Sequence, residues 1–105
     1  VPGVVVQPEA EWAWSVYWMH SILLEGAGEA ERDAFMAALR AEGVDSRPFF
    51  YPLHVLPPYA AGQRLPAAEA LAAAGLNLPS GVRLADEDVE RVCAAVERCL
   101  IRTQA

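Results

Sequence analysis

Lysine is missing from this 105-residue chain, whose eight basic residues are all arginine. No side-chain amine is therefore present to form a Schiff base with a carbonyl compound. Positive charge is scarce altogether: 14 acidic residues leave a formal net charge of −6, and the pI is near 4.7. That excludes a general nucleic-acid binder, which needs clustered cations to neutralise phosphates. Long apolar runs are absent too, since Ile22-Leu23-Leu24 is bounded by His20 and Glu25, so no segment spans a membrane. His20 and His54 are too few and too isolated to suggest a metal site, and neither a CxxC motif nor a glycine-rich phosphate loop occurs. Cys93 and Cys99 lie six apart in a helical segment, a rise of about 9 Å that no disulfide bridges. They read as free, largely buried thiols suited to a reducing cytoplasm. Val1-Pro2-Gly3 has neither an initiator Met nor the basic region of a signal peptide, and reads as the cut end of something longer.

What is present is a chain with 54% hydrophobic residues, enough for one small domain over residues 1–105. Val4-Val5-Val6 predicts a short lead-in strand. Residues 12–24 alternate with apolar or aromatic side chains on both faces, which predicts a long central strand covered on both sides. Glu29 to Glu42 is helical, with Phe35 and Leu39 on one face and a stop in which Gly43 is left-handed and Val44 folds back on Leu39. Val44 to Phe50 is a strand that Pro48 confines to an edge. After an irregular segment, Pro66 opens a helix to Ala74, and Gly75-Leu76 repeats the glycine stop with Leu71 as partner. Leu76 to Leu78 is a strand, and Asp86 to Arg102 a final helix with Val89, Val92, Cys93, Val96 and Leu100 at helical spacing. The order β-β-α-β-loop-α-β-α predicts an α+β domain: a three- to four-stranded, largely antiparallel sheet with helices packed on one face.

The segment best suited to chemistry is Ser46-Arg47-Pro48-Phe49-Phe50-Tyr51-Pro52-Leu53-His54, followed by Pro57-Pro58-Tyr59. A proline-stiffened loop is costly to order unless something uses it. Arginine offers a planar fork to carboxylate or phosphate, imidazole a proton donor or acceptor, and tyrosine a stacking face with a hydroxyl. The set suits an anionic ligand containing a ring. The plainer alternative stays open: Phe49, Phe50 and Leu53 also fit simple packing, His54 also fits a structural role, and Arg47 also fits a surface pair with Asp45 or Glu42. His20 reads as a core histidine, the Trp12-Trp14-Trp18 stripe as core or inter-domain contact, and Asp33 and Glu42 as solvated helix face.

Tyr17-Trp18-Met19-His20-Ser21-Ile22-Leu23-Leu24, then Leu39-Arg40-Ala41-Glu42-Gly43-Val44, the Arg47-to-His54 loop, Pro57-Pro58-Tyr59 and Gly75-Leu76-Asn77-Leu78-Pro79-Ser80-Gly81 follow one another in order. This succession, from Trp14 to the end, resembles the C-terminal domain of the DegT/DnrJ/StrS sugar aminotransferases, in particular their perosamine-synthase-like members. Two positions depart from the resemblance, for the family often has Tyr where His20 stands and Gln where Leu56 stands.

The resemblance implies a fold-type I aminotransferase with pyridoxal phosphate in the parent enzyme, acting as a homodimer. It implies transfer of an amino group from glutamate to a nucleotide-linked keto sugar in the cytoplasm, with no nucleic acid and no membrane involved. His54 would face the substrate, and Arg47, Tyr51 and Tyr59 are weaker carry-overs as substrate-binding residues. The cofactor lysine belongs to the family's N-terminal large domain. This chain, without lysine, would hold no cofactor and no catalytic residue of its own and would be inactive alone. The alternative is a stand-alone, non-catalytic binding or interaction module that retains the small-domain fold; a third is a domain related by fold only.

Overall fold

Helix α1 spans Glu29–Ala41. It begins where Gly28 donates its N–H to the Glu31 carboxylate at 3.0 Å, and it ends where the glycine stop forms as its sequence requires. Gly43 takes φ +82°, its N–H reaches the Arg40 carbonyl, and the Val44 N–H reaches the Leu39 carbonyl, both at 3.0 Å. Those two bonds satisfy carbonyls that the helix end would otherwise leave bare.

The structure is a computed structural model that describes residues 1–104. Strands β1 (Val4–Val6), β2 (His20–Leu24), β3 (Arg47–Pro48) and β4 (Gly75–Leu78) form one sheet in the order β1-β2-β4-β3, and every pairing is antiparallel. Helices α2 (Pro66–Ala74) and α3 (Asp86–Gln104) complete the fold, with short 3₁₀ turns at Leu53–Val55 and Pro57–Tyr59. The α+β expectation holds, with four strands. Register puts Ile22 beside Leu76 and Leu23 beside Gly75, so neighbouring residues of β2 and β4 face opposite sides. Ile22, Leu24 and Leu76 pack with Phe35 and Leu39 of α1 and Ala95, Val96, Cys99 and Leu100 of α3. Complete burial of a large apolar side chain such as Phe35 or Leu39 contributes about 1.5–3 kcal/mol. The sheet's free ends are tied by Ser80, which accepts the His20 N–H and donates to the Leu78 carbonyl, each at 2.8 Å. This gives the Leu-Pro-Ser turn a structural role.

Five expectations are corrected, among them the Val44–Phe50 strand, which shortens to Arg47–Pro48. The long strand over residues 12–24 shortens to its last five residues; before it, Trp12, Trp14 and Trp18 are 90%, 85% and 74% exposed. That segment is held as a loop by polar bonds: Glu9 accepts the Ser15 N–H at 2.9 Å, and Ser15 Oγ accepts the Tyr17 N–H at 3.1 Å. His20 is consequently exposed at the start of β2, not a core histidine. Gly75 is extended (φ −93°), not left-handed, because α2 passes directly into β4. The buried face of α3 runs through Ala95, Val96, Cys99 and Leu100, whereas Val89 and Cys93 are exposed.

Glu42 also departs from the solvated role. It bonds Arg98 at 2.9 Å and also Arg102, joining the end of α1 to the end of α3. Those two guanidinium bonds, Arg98 first, hold its carboxyl below the usual range.

Candidate functional site

Between α1, α2 and the segment after β3 lies a cleft of about 660 Å³. One wall is built around an arginine on the inward phase of α1. Arg32 stands three residues before Phe35 and is buried with it. Its Nη1 donates to the Ala72 carbonyl in the last turn of α2 at 2.6 Å, and its Nε and Nη2 donate to Asp33 at 3.0 and 2.8 Å. A cation against a helix C-terminus and a carboxylate is a favourable arrangement, so Arg32 staples two helices while forming one wall.

The opposite wall is the proline-bounded loop, which supplies Arg47, Phe49, Phe50, Tyr51, Leu53 and Leu56. Prolines 48, 52, 57 and 58 restrict φ through this stretch, so its two 3₁₀ turns form without a long helix. Phe49 anchors the loop: its N–H donates to the Gly75 carbonyl at 3.1 Å and its ring covers the Gly75 Cα. Phe50 and Tyr51 are left exposed at the rim. The Arg47 side chain is 81% exposed and lies 3.8 Å from Asp45, a loose surface pair that leaves its fork available.

His54 takes a different place. It is buried, on the turn Leu53–Val55, and its Nε2 lies 3.5 Å from Glu69 Oε2 on α2. Glu69 in turn accepts the Leu65 N–H at 2.7 Å and pairs with Arg64 at 2.9 Å. Arg64 first, then the Leu65 N–H, keeps the Glu69 carboxyl below the ordinary carboxylate range. The structure thus brings Arg47 and Tyr51 to the cleft, sets His54 behind its wall, and leaves Tyr59 exposed on the second turn. Arg32 and Glu69 are site residues that the sequence reading did not single out. For Arg32 a signal existed, the three- and four-residue spacing to Phe35 and Met36; for Glu69 no spacing pointed to His54. Leu56, where the resembled family often has Gln, makes its part of the wall apolar.

A small α+β domain with an arginine- and aromatic-lined cleft is the class the geometry defines, and aminotransferases contain this domain. The chain aligns in full with 28% of the aminotransferase TlmJ of Streptoalloteichus hindustanus, at TM-score 0.87 and 30% identity. It aligns over 91% of its length with 26% of a DegT DnrJ EryC1 StrS aminotransferase of Brucella abortus, at TM-score 0.76 and 28% identity. Residues 1–97 match the model of the DegT/DnrJ/EryC1/StrS aminotransferase family, and the chain belongs to that family. It is 41% identical over 88 residues to the GDP-perosamine synthase of Caulobacter vibrioides, an alignment covering 82% of this chain and 24% of that protein. The GDP-perosamine synthase of Vibrio cholerae is 36% identical over 95 residues, which cover 88% of this chain and 26% of that protein. The chain therefore spans about a quarter of the length of these relatives and corresponds to their C-terminal part.

Enzymes of this family depend on pyridoxal phosphate. The cations of this cleft are guanidiniums and the chain has no lysine, so its residues do not fit covalent attachment of that group. Among the described residues no cluster of His, Cys, Asp or Glu is arranged to hold a metal ion. No helix of the described residues is long and apolar enough to cross a membrane.

Proposed function

We propose that this chain is the substrate-side domain of a sugar aminotransferase that moves an amino group from glutamate to a nucleotide-linked keto sugar. The observation that carries the reading is the cleft lined by Arg47, Phe50 and Tyr51 in a chain that matches the family over residues 1–97. In this reading Arg47 presents its fork to a diphosphate. Phe50 and Tyr51 offer ring faces to a base or sugar, Tyr59 joins them from the second turn, and His54 serves the sugar from behind the loop. The guanosine diphosphate sugar named for the relatives is the ligand class we assign to the cleft. The amino transfer belongs to the assembled enzyme: a large domain bearing the lysine and pyridoxal phosphate, and a second subunit, in the cytoplasm. Pyridoxal phosphate supplies the electron sink for the transfer when bound there, and this domain's part is to bind and enclose the sugar.

Titrating the ¹⁵N-labelled chain with GDP-perosamine tests the reading. Amide signals of Arg47, Phe50, Tyr51, His54 and Tyr59 should move together and saturably. Arg47→Ala, which removes one charged hydrogen-bonding group worth about 1.5–3 kcal/mol, should weaken binding about tenfold or more. Saturable shifts confined to surfaces away from the cleft would refute it. A second reading, a stand-alone interaction module, draws on the exposure of Trp12, Trp14 and Trp18. It requires that the chain add nothing to transamination by a large domain.

A further inference from the structure

We propose that Glu69 is the positioning residue for His54: its carboxylate accepts the ring's Nε2–H and so fixes the ring in the form whose lone pair is on Nδ1. The inference rests on the reading above, in which His54 serves the sugar side of the cleft. His54 Nε2 is the one buried side-chain nitrogen or oxygen without a hydrogen bond among the described residues. Such groups are rare and call for a partner. The facing group is Glu69 Oε2 at 3.5 Å, within ion-pair range but long for a hydrogen bond. A closing of about 0.5 Å would bring it to normal N–H···O length.

The carboxylate is already fixed from its other sides. The same Oε2 accepts the Leu65 N–H at 2.7 Å, at the start of α2, while Oε1 meets Arg64 at 2.9 Å. A carboxylate held by two donors from the residues just before its own helix is a preset acceptor for a third donor arriving from another element. An ionised carboxylate can only accept, so it selects the ring form that carries hydrogen on Nε2. Nδ1 of that neutral form bears a lone pair, able to accept a hydrogen bond from a hydroxyl. Glu69 itself stands at the cleft wall, so seating of a ligand and tightening of this pair involve the same wall.

Long-range ¹H–¹⁵N NMR of the histidine rings in the 105-residue chain tests this, at a pH where the rings are neutral. Exposed His20 is the internal reference, and His20→Ala assigns the signals. His54 should be held as the Nε2–H form, with Nε2–H exchange roughly tenfold slower than that of His20. Glu69→Gln keeps an acceptor oxygen and should retain both signatures. Glu69→Leu should reduce both to the His20 level, with the amide spectrum of α1 and α3 unchanged. A role for Glu69 confined to the start of α2 would leave the ring form untouched in Glu69→Leu, and that result overturns the proposal. An Nδ1–H ring in the wild-type chain overturns it as well, independently of whether any variant folds. No ligand is present, so this outcome is separate from that of the GDP-perosamine titration.

Discussion

Replacing Gly75 with alanine probes the joint between core and cleft. Gly75 follows α2 directly and opens β4 at φ −93°, a conformation open to any residue. Space, not backbone freedom, is what calls for glycine here. A Cβ added at Gly75 would lie 2.6 Å from Phe49 Cγ and closer still to Cδ2 and Cε2. Cγ is the atom on which the ring pivots, so rotation about the next bond cannot clear it; the whole Phe49 side chain must shift. Overpacking of this kind costs about 1–3 kcal/mol. Lower entropy of the unfolded chain returns about 0.4–1 kcal/mol. With three ring atoms of Phe49 at 2.3–2.6 Å from the added Cβ, the overpacking cost belongs to the upper part of its range, about 2–3 kcal/mol. The net expectation is a loss of about 1–2.6 kcal/mol, moving a urea midpoint by about 1–2.6 M for a slope on the order of 1 kcal/mol/M. Phe49 also lines the cleft, so ligand binding should weaken in parallel. Adding Phe49→Leu should recover part of the loss, giving a non-zero coupling in the double-mutant cycle. A Gly75→Ala chain as stable as wild type would refute the reasoning, because it would mean that the ring moves aside without cost.

The Glu42 carboxyl, lowered by Arg98 and then Arg102, contributes stability that is present above its unfolded value and lost as pH falls through the lowered folded one. The urea-midpoint advantage of wild type over Glu42→Gln should therefore be largest near neutrality and vanish in acid. Cys93 is exposed, while Cys99 is buried with its thiol pushed up, chiefly by burial. A thiol reagent should modify one cysteine rapidly in the native chain and the second only on unfolding. Trp12, Trp14 and Trp18 should emit as water-exposed indoles and be quenched by a soluble quencher. Serine in place of any one of them should change stability by no more than about 0.5 kcal/mol, as read by urea titration.

Much of the fold was legible because local chemistry and tertiary packing agree. The Leu39-Gly43-Val44 stop, the edge position of Pro48, the proline start of α2 and the acidic start of α3 each follow from backbone geometry that few other residues satisfy. The tryptophan segment misled because strict alternation fits a strand equally well as a loop whose polar bonds are invisible in pattern. Glu9 and Ser15 decide the matter by capturing backbone donors. At Gly75 the residue type was informative but its cause was not, since the Phe49 ring, from just after β3, folding onto a glycine is a long-range fact. The cleft was half legible. Arg47 and Tyr51 stood out by type; Arg32 did not, although its helical phase with Phe35 carried the signal, and the approach of Glu69 to His54 arises only when α2 is laid beside the loop. The missing lysine was the firmest chemical statement the residues allowed, and nothing in the cleft alters it.

Restoration of activity in trans tests the central claim most directly. A perosamine-synthase-like large domain, produced without its own C-terminal quarter, would be assayed for glutamate-dependent transamination with and without this chain. The substrate-side reading predicts no turnover by either piece alone, turnover by the mixture, and a marked loss when Arg47→Ala is used. Transamination by this chain by itself, or by the large domain equally well in its absence, would contradict it.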